Sequence, residues 1–230
     1  MIILLLICSV LVGIFLGKYF GSQQKLAKNL LVVSAGFLIT ICITEVFPEV
    51  YGSDNHNIGI FVIGGVLLQM FLESLTKGFE HGHLHHHHDD DQILPLALIV
   101  GLFIHAFIEG IPLAQEKDIT SPYLMGILFH NLPISFVLGS FLSQSKSYST
   151  KFWLIVAVFA LASPLGMMLG HYFDPAWKVY FLAVVAGIFL HISSVIIFES
   201  NKHHKMDWSK IFFVIVGVLL GLLPHWSHVH

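Results

Sequence analysis

His105 and Glu109 stand four residues apart in "IHAFIEG" (104–110), inside an apolar run from Leu94 to Ala114. A run of that length is long enough to cross a bilayer. On a helix the spacing puts imidazole and carboxylate on one face, one turn apart. Imidazole nitrogen with carboxylate oxygen suits Zn²⁺, and also Fe²⁺ or Mn²⁺. Ionisable groups at that depth are costly, so they normally face a bundle interior and mark a pathway. The next apolar block returns in the opposite direction and carries "FHNLPIS" (129–135), which brings His130 and Asn131 to the same depth. Pro133 has no N–H to offer the Phe129 carbonyl, and the expectation is a locally disturbed helix. In lipid such a disturbance is tolerated only where protein or a water-filled cavity covers it. Either His130 or Asn131 alone could be interhelical hydrogen-bonding glue. Two imidazoles, a carboxylate and an amide at one level point instead to a metal or proton pathway.

Other polar residues are less specific. Glu45 and Glu49 in "TEVFPE" are one turn apart at the end of an apolar block. They read equally as an acidic vestibule that attracts cations and as interfacial carboxylates. Glu73 with Lys77 has the spacing of an i,i+4 ion pair. His191 has no evident partner and reads as a core hydrogen-bonding residue. Between two blocks lies "HGHLHHHHDDD" (81–91), where His83, His85, His86, His87 and His88 suit weak, flexible transition-metal contact, or simply a solvated linker. His225, His228 and His230 read as a polar tail that could capture metal. Cys8 and Cys42 fall in apolar blocks and are expected to be small membrane-facing residues, neither a disulfide nor a metal pair.

The elements that position these groups follow from composition. Of 230 residues, 56% are hydrophobic and 11% charged, with no arginine and a net charge of −3; mean hydropathy is +0.81. Soluble chains carry about 25% charged residues, and nothing here suggests a nucleic-acid surface. The apolar residues come in blocks that give eight candidate spans, near 1–20, 29–50, 58–77, 94–114, 122–143, 152–172, 177–198 and 211–225. The first block lacks a basic n-region and a small-residue cleavage site, so it reads as a span and not a signal peptide. The expected fold class is therefore all-α, a polytopic membrane protein with a single transmembrane domain over 1–230 and a histidine-rich loop at 78–93. With the N-terminus outside, nine of the eleven lysines lie on one side and only Lys117 and Lys178 opposite. The positive-inside rule makes the nine-lysine side cytoplasmic, with both termini outside.

Taken in order, these pieces resemble the ZIP (Zrt/Irt-like) divalent-metal transporters. "SAGFLITICITEVFPE" (34–49) is similar to the family's second span, "HLHHHH" to its histidine-rich loop, and "HAFIEG" and "HNLPIS" to its fourth- and fifth-span motifs. "SPLG" (163–166) and "AGIFLHISSVI" (186–196) resemble its sixth and seventh spans. The resemblance implies an eight-helix bundle in which His105, Glu109, His130 and Asn131 hold the transported ion at mid-membrane. It departs from the family pattern at Ala106, Ile134, Ser135 and Ser163. Ile134 stands where a second glutamate is expected, so a second, adjacent metal position is not. The function implied is transport of a divalent cation, zinc foremost, into the cytoplasm, with Glu45 and Glu49 collecting cations at the outer entrance. The metal would be cargo and no prosthetic group is expected; the partners are the ion and the lipid bilayer, no nucleic acid, with a homodimer left open. A bacterial cytoplasmic membrane is the expected location. Two alternatives stand beside transport: a degenerate family member acting as sensor or structural protein, favoured by Ile134 and Ser163, and a membrane metalloenzyme. The enzyme reading is disfavoured, since no H-E-x-x-H or histidine box falls within a span.

Overall fold

The computed structural model describes residues 1–21, 23–53, 55–76, 96–144, 150–198 and 207–228. The histidine-rich segment with His83, His85, His86, His87 and His88 lies outside the described residues, as does Lys77. All regular elements among the described residues are helical. They are α1 (Ile2–Phe20), α2 (Gln24–Ile41), α3 (Phe47–Tyr51), α4 (Ile58–Thr76), α5 (Leu96–Gly110), α6 (Pro122–Gln144), α7 (Thr150–Gly170), α8 (Lys178–Phe198) and α9 (Trp208–His228). A π-helical turn, Cys42–Val46, joins α2 to α3 in one continuous span. Pro48 explains that turn, because its ring would clash with the Thr44 carbonyl in regular α geometry. The widened turn lets the Phe47 N–H donate to the Cys42 carbonyl instead.

Among the described residues, seven helical stretches are long and apolar enough to cross a membrane, and α9 adds an apolar helix over Trp208–Leu223. The polarity of the bundle is that of a protein in lipid. Leu4, Phe15, Ile60, Leu67, Trp153 and Phe212 are exposed, while Gln69, His105, Glu109, His130 and Asn131 are buried. Water-facing surfaces do not invert polarity in this way; a bilayer demands it. The chain is a multi-pass membrane protein.

The helices pack as two sets. α1 lies along α6 and α5 along α7, with α1 also against α7; α2 lies along α9 and α4 along α8, with α2 also against α8. Paired glycines let these backbones touch. A Cβ at Gly110 would overlap the Ser163 carbonyl and one at Gly166 the Phe107 carbonyl, and the same reciprocity links Gly65 with Val184 and Gly187 with Val62. The two sets meet where α2 lies against α6 and α4 against α5.

α6 stays helical through Pro133, whose ring nitrogen has no hydrogen to offer the Phe129 carbonyl. One expectation changes here. Cys42 faces the bundle interior, fully buried, with its thiol 3.5 Å from the Ala186 carbonyl oxygen. Cys8 is exposed as expected, and both thiols are free.

Candidate metal centre

The C-terminal half of α5 and the middle of α6 bring three of the four anticipated ligands together. His105 and Glu109 project from one face of α5, and His130 approaches from α6. One ligand atom from each lies within 4.8 Å of the other two, and all three residues are buried. A tetrahedral ion with ligands at about 2.1 Å holds them roughly 3.4 Å apart, so small side-chain rotations would close the set. Asn131 is buried next to His130, but successive residues point about 100° apart around a helix, which puts it on the flank of the cluster.

The second nitrogens of both rings are engaged by the other helix set. His105 Nδ1 lies 3.1 Å from Oε1 of Gln69 on α4, and His130 Nδ1 lies 3.4 Å from Oγ of Ser34 on α2. An amide oxygen only accepts, so this contact suits a His105 ring that carries its proton on Nδ1 and keeps Nε2 for a metal. His105 Nε2 is 3.0 Å from Oε1 of Glu109. Both Glu109 oxygens are buried and accept no hydrogen bond among the described residues, so this approach is not a hydrogen bond. A buried carboxylate this close to imidazole nitrogen in low dielectric calls for positive charge, a proton or a cation, between them. Tyr123 ties the backbone here, its hydroxyl donating to the Glu109 carbonyl at 2.7 Å.

Neither Gln69 nor Ser34 was singled out by sequence reasoning, although Gln69 is the one amide side chain in α4. Two other contacts revise the sequence expectations. His191 does have a partner, its Nε2 lying 2.7 Å from Glu73 Oε2 across α8 and α4. The companion expected for Glu73, Lys77, is outside the described residues. Glu45 and Glu49 both line a cavity of about 240 Å³ at the end of the bundle where α5 leads into α6, together with Glu116, Asp118 and Tyr123. The cavity is not purely acidic. Lys178 reaches into it, 2.8 Å from Glu49 and 2.9 Å from Glu116.

This donor set can be compared with known proteins. A family model described as ZIP Zinc transporter matches residues 80–223, more than half of the chain. The chain belongs to the ZIP zinc transporter family. The ZIP match covers α5 to α8 and most of α9, hence His105, Glu109 and His130. Among curated relatives, Protein zntD of Dictyostelium discoideum is 27% identical over 162 residues, which is 61% of this chain and 24% of the relative. Probable zinc transporter 12 of Arabidopsis thaliana is 32% identical over 95 residues, 38% of this chain and 27% of the relative. The matched regions thus span about a quarter of the length of each of these two relatives. Ile134 and Ser163, two of the positions where the motifs depart from those they resemble, are both buried.

Proposed function

We propose that the protein carries a divalent cation, zinc foremost, across the membrane into the cytoplasm, with His105, Glu109 and His130 as transport ligands. The observation that carries this reading is the buried carboxylate of Glu109, which accepts no hydrogen bond and faces imidazole nitrogen, in a chain of a zinc transporter family. Two neutral imidazoles and one carboxylate leave a doubly charged ion with a net positive charge in low dielectric. Water in the open position would complete the coordination, as at zinc sites that must exchange ligands. A weakly compensated site suits transport, because the ion has to leave again. The ligands all sit on the α1, α5, α6 and α7 set, so rocking of this set against the other would carry the site between the two sides. Lysine placement supports a cytoplasmic side at the end bearing the α4–α5 connection, and so a cavity with Glu45 and Glu49 on the outer side.

Radioactive zinc uptake into proteoliposomes holding the purified chain tests this reading, with Fe²⁺, Mn²⁺ and Cd²⁺ as competitors. Saturable uptake above protein-free vesicles is expected, with zinc the strongest self-competitor. Binding without flux would leave a metal sensor and overturn transport.

The outer cavity adds a prediction of its own. Lys178 neutralises part of the acidic lining at close range, so a divalent ion entering there competes with an ammonium group. Lys178→Met should lower the zinc concentration for half-maximal uptake several-fold at low ionic strength. The gain should shrink in salt, where screening acts within about 10 Å. Equal values for variant and parent at low salt would take the cavity off the ion's route.

A further inference from the structure

We infer that Gln69 is a positioning residue for the metal site, holding His105 in the tautomer that binds metal, and that it does so from the opposite helix set. The inference rests on the transport-site reading above and extends it to a residue outside the ligand set. Three observations carry it. Gln69 is fully buried on α4, in a helix whose neighbouring positions are apolar. Its Oε1 lies 3.1 Å from His105 Nδ1. The other nitrogen of the same ring, Nε2, lies 3.0 Å from the Glu109 carboxylate. A buried amide in such a helix is expensive unless its groups are bonded, and here its oxygen accepts from the one ring nitrogen that the metal does not need. Partners of this kind fix ring orientation and raise ligand basicity, and losing one costs about 10–100-fold in metal affinity.

Placement across the seam gives the contact a second consequence. His105 travels with α5, while Gln69 is fixed to α4, which packs along α8 in the other set. The contact therefore exists in one register of the two sets. When the sets rock, His105 loses its acceptor and with it part of its affinity for the ion. Tight binding in one state and easier release in the other follow from a single hydrogen bond.

The test uses the full chain in proteoliposomes. Gln69→Met, close in volume but without an acceptor, should raise the zinc concentration for half-maximal uptake about 10–100-fold while leaving the maximal rate within a few-fold. Gln69→Glu restores the acceptor and should return half-saturation to the parent value or below it. Equal half-saturation in parent and Gln69→Met overturns the inference, as does a Gln69→Glu variant as weak as Gln69→Met. If Gln69→Met does not fold, nitrogen NMR of the metal-free parent decides, with the His105 signals identified by their loss in His105→Asn. A proton on Nδ1 is expected, and a proton on Nε2 alone overturns the inference. Glu109→Gln separates this from the site itself. If that variant loses uptake and Gln69→Met does not, only the role of Gln69 fails; if Glu109→Gln transports normally, the transport-site reading fails first.

Discussion

Glu109→Gln should abolish saturable zinc uptake and weaken metal binding at least about 100-fold, since even partners outside the ligand set cost about 10–100-fold when removed. Glu109 is the sole carboxylate in the cluster with His105 and His130, so the substitution leaves a doubly charged ion facing only neutral ligands. The same change should not harm the metal-free fold. The Glu109 oxygens accept no hydrogen bond among the described residues, so the amide forfeits none. Its NH₂ would instead lie about where Oε1 now sits, 3.0 Å from the lone pair of His105 Nε2, and can donate to it. Gaining a hydrogen bond to a metal-free, neutral His105 while removing a buried charge stabilises. The expected result is a metal-free variant with a Tm equal to or above that of the parent, and no rise in Tm when zinc is added. Zinc should raise the parent's Tm in proportion to its occupancy. Zinc affinity within a few-fold of the parent would remove Glu109 from the site. A metal-free variant much less stable than the parent would show that the carboxylate makes a structural bond.

What could be read from the residues depended on how costly each is in lipid. His105, Glu109 and His130 stood out because ionisable groups are rare in spans and have to be compensated there, and helical periodicity placed the first two on one face. Gln69 and Ser34 did not, because amides and hydroxyls are common between packed helices, and their partners lie 36 and 96 residues away. The Glu73–His191 contact was hidden in the same way, across 118 residues. Facing is also poorly written in these blocks: lipid and bundle interior both accept apolar side chains, so nothing local told Cys42 to point inward. The glycines in the quoted motifs carried more than their share of the fold. Gly36, Gly110, Gly166 and Gly187 each sit where a Cβ would strike the backbone of a packed helix, which a one-chain reading of short motifs could not reveal.

Gly64 and Gly65, adjacent on α4, should respond to the same substitution in opposite ways. A Cβ at Gly65 would overlap the Val184 carbonyl of α8, whereas one at Gly64 meets nothing within 4 Å. Gly65 is buried and Gly64 exposed. Apolar burial gives helices little reason to associate in lipid, so α4 and α8 are held mainly by close contact over surfaces of small residues. Gly65→Leu must push the helices apart, and a backbone carbonyl cannot rotate aside as a side chain can. Overpacking costs about 1–3 kcal/mol and occasionally more; here the rigid obstacle argues for a loss above about 3 kcal/mol, read as a fall in Tm or as loss of monodisperse protein. Gly64→Leu adds apolar surface toward lipid and gains up to about 1 kcal/mol of helix propensity, so its Tm should hold or rise. The damage at Gly65 should also reach the site. Gln69 lies one turn further along the same face of α4, so separating α4 from α8 also shifts the acceptor away from His105. A partly folded Gly65→Leu protein should therefore bind zinc more weakly than Gly64→Leu, even where both are intact. Equal stability of the two variants would contradict the glycine-mediated contact between α4 and α8. Equal zinc affinity, with Gly65→Leu destabilised, would show that the position of α4 does not control the geometry of His105.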